Sequence, residues 1–268
     1  MLEIMKKAAI TQTNKRVRNI NSLLTYLPTN ILTSKKFAFT LAEVLITLGI
    51  IGVVAALTMP SLVAKYQKQV LVTQLKKEVN VIQNNLRSIL AEEGVENLAQ
   101  SSYFEASDNG ELYAKVDMLR AHFQAEEMNE NTEFAKLTKK FFGNDAQGNS
   151  VKPMYFKDGS CFAFVDNYSE GDASTGRDIL IDTNCDKKPN KIGKDMFLLV
   201  YNDQGLIVPL FGNNDSPNLN TYLNMFCSEQ VTNLEAEDAN FENIIYGGGA
   251  CYQKILNNNW KIPSDYPW

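Results

Sequence analysis

The sequence predicts an α+β fold: a long N-terminal membrane-spanning helix that continues into a soluble domain with a small antiparallel sheet. Three observations predict it. Val44 to Met59 is a run of sixteen residues without a charge. From Leu62 to Ile89, apolar residues recur at steps of three to five, the spacing of one helix face. Between residues 160 and 211 they come instead in short blocks divided by turn residues, the pattern of strands. A chain of 268 residues holds a membrane helix and one sizeable soluble domain.

Residues 1–38 read as a leader. They hold seven Lys/Arg and one acid, Glu3, for a net +6 against −5 for the whole chain, which leaves −11 for the remainder. Pro28 interrupts any helix here. A basic segment ahead of an apolar helix stays in the cytoplasm, so the acidic bulk is expected outside, in a single-pass topology across the cytoplasmic membrane. An acidic exterior domain argues against nucleic acid as a partner, because phosphates are neutralised by Lys and Arg.

Residues 39–59 read as the transmembrane helix. Phe37 to Met59 is 23 residues, roughly 34 Å of helix at about 1.5 Å per residue, enough to cross a hydrocarbon core. Glu43 breaks the apolarity, and a carboxylate near the start of such a span is a functional-site candidate. Just ahead lie Lys35, Lys36 and Ala38, then Phe39-Thr40-Leu41-Ala42-Glu43.

This stretch, roughly residues 35–65, resembles the prepilin-type cleavage and methylation segment of type IV pilins and type II secretion pseudopilins. The resemblance implies a peptidase cut between Ala38 and Phe39, with Lys35, Lys36, Thr40 and Leu41 read by the prepilin peptidase. It also implies N-methylation of the new Phe39 terminus and a role for Glu43 in subunit assembly. The residue before the cut is usually Gly in that family and is Ala38 here, still small enough for a tight peptidase site. Pro60 falls where the family often carries a helix-bending proline. The fold implied is pilin-like. The partners implied are the prepilin peptidase, other pilin or pseudopilin subunits, inner-membrane assembly machinery and lipid. The place implied is the cytoplasmic membrane, then an envelope or surface filament.

Residues 60–94 read as an amphipathic helix. Leu62, Tyr66, Val70, Leu75, Val79, Ile82, Leu86 and Ile89 trace its stripe. Lys65, Lys68, Lys76, Lys77, Glu78 and Arg87 fall mostly off it, and Gly94 is the expected stop. Joined to the apolar run, this is one helix of roughly 55 residues.

Residues 95–268 read as the globular domain. Leu112, Val116, Leu119 and Phe123 suggest one helix; Phe134, Leu137, Phe141 and Phe142 suggest another, stopped by Gly143. Residues 144–150 read as a loop. Cys161–Val165, Asp178–Asp182, Met196–Tyr201 and Leu206–Phe211 read as strands, with Asn202-Asp203-Gln204-Gly205 as the hairpin turn between the last two. In the tail, Gly247-Gly248-Gly249 lacks the Lys-Ser/Thr of a phosphate-binding loop and reads as backbone freedom beside Cys251.

Cys161, Cys185, Cys227 and Cys251 all lie on the expected outer side, and an even count in an oxidising compartment predicts two disulfides. Of three pairings, Cys161–Cys185 and Cys227–Cys251 are preferred, since each closes 24 positions and keeps the strand region and the tail as separate loops. Asp182, Asn184 and Asp186 have the D-x-N-x-D start of a calcium loop, but Lys187 and Gly193 stand where such a loop needs Gly and Glu, so a polar loop pinned by Cys185 is the reading. No metal or cofactor is expected. With one histidine, His122, and no nucleophile or paired-carboxylate motif beside it, neither is catalysis.

Two functions follow. One is a structural subunit of a type IV pilus, a secretion pseudopilus or a DNA-uptake filament. The other is a monomeric, membrane-anchored binding protein with an uncleaved signal anchor.

Overall fold

The computed structural model describes residues 39–106, 112–143, 151–165, 177–185, 187–212 and 217–268. The leader with Lys35, Lys36 and Ala38, the loop at 144–150 and Asp186 lie outside the described residues. The chain divides into two compact units, 1–59 and 60–268.

Helix α1, Leu41–Glu93, contributes to both units. Within the first unit its large apolar side chains, from Leu41 to Met59, are exposed. By length and composition the helix can cross a membrane. Within the second unit it buries Leu71, Leu75, Glu78, Val79, Ile82, Leu86 and Ile89. The stripe therefore starts later than its periodicity predicts. Leu62 and Tyr66 are each 67% exposed, and Val70 is only half-buried. Glu78, expected off the stripe, is in it. Gly94 ends the helix at φ 64°, and Val95 N–H donates to the Leu90 carbonyl at 3.1 Å, closing a Schellman turn.

The core is a six-stranded antiparallel meander. Its strands are β3 (Glu126–Glu127), β4 (Met154–Tyr155), β5 (Cys161–Val165), β6 (Asp178–Asp182), β7 (Met196–Tyr201) and β8 (Ile207–Val208), in that order. A separate hairpin pairs β1 (Phe104–Ala106) with β2 (Leu112–Ala114). Three strands fall where the sequence puts them. The fourth is shorter: Pro209 has no N–H to give the ladder, so pairing stops at Val208. Its edge is partly covered, since Ile207 N–H donates to Gln83 Oε1 of α1 at 3.0 Å.

The strand blocks are apolar without alternation because both faces of the sheet are covered. Phe162, Phe164, Ile179, Ile181, Phe197 and Leu199 face the α1 stripe. Ala163, Val165, Leu180, Met196 and Leu198 join the other cluster, with Phe134 and Leu137 of α3 (Glu133–Phe142) and Ile244 and Ile245 of the tail. Helix α3 starts at Thr132, whose hydroxyl accepts from Ala135 N–H, and stops at Gly143, φ 58°. The helix expected over Leu112–Phe123 is instead β2 followed by α2, Val116–His122. Spacings of three and four placed these residues on one face, but Leu112 lies in the hairpin, its strand registered on Phe104–Ala106.

The tail is more helical than its Asn and Gly content suggests. It forms α4 (Leu219–Phe226), α5 (Glu229–Thr232), a π-helical turn (Asn243–Gly247) and α6 (Gly248–Asn257). Gly248 has ordinary helical angles, φ −60° and ψ −45°. It serves close approach, not backbone freedom: a Cβ there would sit 2.9 Å from the Leu198 backbone nitrogen of β7.

Candidate assembly site

Phe39 and Leu41 stand at the start of α1, 80% and 78% exposed. The next turn is built by a reciprocal pair. Thr40 Oγ1 accepts from Glu43 N–H at 3.2 Å, and Glu43 Oε2 accepts from Thr40 N–H at 2.9 Å. The Thr40 hydroxyl also donates to Oε2 at 2.9 Å. This is a Thr-x-x-Glu capping box, which satisfies backbone N–H groups that a helix start leaves open. Both of these bonds from Thr40 fall on Oε2. The sequence marks Glu43 as a charge in an apolar run; its capping role is also legible there, in the three-residue step from Thr40.

From Val44 to Met59 the run offers a continuous apolar surface, exposed among the described residues. A Cβ at Gly49 or Gly52 would meet nothing within 4 Å. The two glycines thus leave shallow places where another helix can come close.

The cysteines pair as Cys161–Cys185 and Cys227–Cys251, with Cα atoms 5.2 and 5.0 Å apart. The first ties the start of β5 to the loop after β6. The second ties the end of α4 to α6, where Gly193 leaves room for the sulfur: a Cβ there would sit 2.6 Å from Cys251 Sγ.

Of the calcium-loop residues, Asp182 Oδ1 accepts from Asn184 N–H at 3.0 Å, and Asn184 Nδ2 donates to Asp195 Oδ2 at 3.2 Å. Asp195 is buried and also accepts from Lys191 N–H. Burial pushes its carboxyl up to about 6, against the pull of those hydrogen bonds. These side chains thus hold the loop beside Cys185 together. Among the described residues, no three His, Cys, Asp or Glu side chains gather as metal ligands.

Two constellations were not read from the sequence. His122 Nε2 lies 2.8 Å from Ser88 Oγ, and Nδ1 lies 3.7 Å from Glu92 Oε2, the layout of nucleophile, base and carboxylate. The Asn85 carbonyl is the third partner of the group. It sits 3.2 Å from Nε2 and 2.8 Å from Ser88 Oγ. A carbonyl only accepts, so a bond from Nε2 requires Nε2 to carry the proton, and the Ser88 hydroxyl donates to the same carbonyl. In that tautomer Ser88, Asn85 and His122 form one hydrogen-bonded group. The arrangement is a clasp that ties α2 to α1.

The second constellation is Glu78, 3% exposed, with the Lys77 ammonium 3.9 Å away. Lys77 pairs with Asp158 in the β4–β5 turn, and Ser160 N–H and Oγ donate to Asp158 Oδ1 at 3.1 and 2.8 Å. Burial, then the Asp158 charge, push the Glu78 carboxyl up to about 7. The sequence put Glu78 off the stripe; in the structure it is buried, with Asp158 and Ser160 of the β4–β5 turn beside it.

A family model matches residues 61–268, and its description is a family of unknown function (DUF6613). The match begins beyond the apolar run and the Phe39–Glu43 motif. No curated protein and no solved structure matches the chain.

Proposed function

We propose that this chain, which belongs to the DUF6613 family, is a pilin-like structural subunit of a type IV pilus or type II secretion pseudopilus. In this reading residues 1–38 are a cytoplasmic leader, residues 39–59 span the cytoplasmic membrane, and the disulfide-bonded domain lies outside. The prepilin peptidase cuts between Ala38 and Phe39, and the Phe39 amine is methylated. The subunit then polymerises with others through its apolar helix. No enzymatic step belongs to the reading.

One observation carries it: the basic pair, small residue and Phe39-Thr40-Leu41-Ala42-Glu43 motif stand in order at the start of an exposed apolar helix. In a stack of parallel helices staggered along the axis, the Phe39 amine of one subunit meets Glu43 of the next. Each charge is costly alone in apolar surroundings and much less so when paired. The pair thus selects one axial register among otherwise slippery helices. In this reading Glu43 Oε1, which is not part of the capping box, takes the amine.

A second reading, a monomeric anchored binding protein, is favoured by the capping box itself: Thr40 holds Glu43 Oε2 within its own helix. Amino-terminal sequencing of the membrane-extracted protein separates the two. A chain beginning at methylated Phe39, and an intact leader in Ala38→Leu, are expected. An intact leader in the wild type would support the anchor.

A further inference from the structure

Between Glu43 and Glu78 the chain carries four lysines, Lys65, Lys68, Lys76 and Lys77, and no acid. This stands out in a chain whose net charge after residue 38 is −11. Lys77 is committed to Asp158, and Lys76 lies over the Trp260 ring at 5.6 Å. Lys68 lies over the Trp268 ring at 5.4 Å, and Lys65 is exposed beside it on the helix. Trp268 and Tyr66 line one cleft of about 400 Å³ together with Pro189, Lys191 and Lys194. Lys191 donates to the Asn233 carbonyl at 3.0 Å, and Lys194 to Asn233 Oδ1 at 3.3 Å. Of the four α1 lysines, exposed Lys65 and half-buried Lys68 are thus the two that stand beside Tyr66, 67% exposed, and the half-buried Trp268.

Lys65 follows Met59 by six residues, so even a fully extended chain keeps it within about 20 Å of the end of the apolar run. Resting on the membrane-anchor part of the proposed function, we propose that Lys65, Tyr66, Lys68 and Trp268 form a face that binds the headgroups of anionic phospholipid. Ammonium groups donate to the phosphodiester, and tyrosine and tryptophan place their apolar bodies toward the acyl chains and their polar edges toward water. A lysine near an anionic surface gains about fivefold in association. Zwitterionic lipid offers the same phosphate with its charge cancelled, so the face discriminates by net headgroup charge. Before assembly this contact would hold the soluble domain down on the membrane.

The chain has two tryptophans, Trp260 and Trp268, so Trp260→Phe makes Trp268 the sole indole. The full chain carrying Trp260→Phe is reconstituted in lipid nanodiscs. These contain brominated phosphatidylglycerol or, at equal mole fraction, brominated phosphatidylcholine. We expect the glycerol lipid to quench Trp268 more strongly, by about twofold or more, and Lys65→Gln with Lys68→Gln to remove the difference. Lys65→Gln alone, which leaves the Lys68–Trp268 contact in place, should remove part of it. Equal quenching by both lipids, with the chain co-eluting with the discs, overturns the proposal and leaves the anchor intact. A chain that elutes apart from the discs overturns the anchor reading and the proposal with it. Shielding of Trp268 that follows protein concentration and ignores lipid charge assigns the face to a second copy, and also overturns it.

Discussion

Glu78→Gln should make the protein more stable at alkaline pH while changing little in acid. Glu78 is 3% exposed, in the α1 stripe between Leu75 and Val79. Burial and the neighbouring Asp158 charge raise its carboxyl from 4.5 to about 7, while the Ser160 hydrogen bond and the Lys77 charge pull the other way. Between those two values the folded protein holds a proton that the unfolded chain has released. Stability from this group is therefore fully present below about 4.5 and is lost as pH rises through about 7. At about 1.4 kcal/mol per pH unit, the loss reaches up to about 3 kcal/mol. Glutamine keeps the shape and a hydrogen-bonding oxygen but cannot ionise. The assay is urea unfolding of the detergent-solubilised full chain at pH 5 and pH 8, followed by the fluorescence of Trp260 and Trp268. At pH 5 the two proteins should unfold within about 1 kcal/mol of each other. At pH 8 the variant should be more stable by about 2–3 kcal/mol. Asp195, also raised, titrates in both proteins and cancels in the comparison. A variant no more stable than wild type at pH 8 would refute the buried-acid argument.

Two further predictions concern the soluble domain. Non-reducing peptide mapping should recover Cys161–Cys185 and Cys227–Cys251, and Cys227→Ser with Cys251→Ser should cost about 3 kcal/mol in urea unfolding; a 161–227 link would contradict the fold. Gly248→Ala should cost about 1–3 kcal/mol, because its Cβ would meet the Leu198 backbone nitrogen at 2.9 Å, where no flexible side chain can yield; an unchanged urea midpoint would contradict that contact.

The core strands were legible because each is a solid apolar block bounded by turn residues, and Gly94 and Gly143 marked the helix ends because both must take positive φ. Equal spacing gave the disulfides. Periodicity failed where it could not say what lies opposite. Leu62 and Tyr66 continue the stripe in register, yet they are exposed, and Glu78, expected off the stripe, is buried between Leu75 and Val79. Leu112, Val116 and Leu119 fit helical spacing, but pairing with Phe104–Ala106 made the first a strand residue. In the tail, the glycine run read as backbone freedom beside Cys251, whereas Gly247 ends the π-helical turn and Gly248, packed against β7, starts α6. At the candidate site, the sequence supplied Phe39, Thr40 and Glu43, and the structure added that two of them already bond each other.

That bond makes the central claim testable with one pair of variants. Glutamine serves the last position of a capping box as glutamate does, but it carries no charge. Glu43→Gln thus separates capping from charge pairing, and Glu43→Ala removes both. The measurement is the amount of this protein in sheared-filament fractions from cells expressing wild type, Glu43→Gln or Glu43→Ala, with membrane levels and Ala38–Phe39 cleavage checked in parallel. The account predicts that both variants are inserted and cleaved normally, yet fall to background in the filament fraction. Wild-type incorporation of Glu43→Gln would show that the carboxylate only caps its own helix, and would contradict assembly through the Phe39 amine.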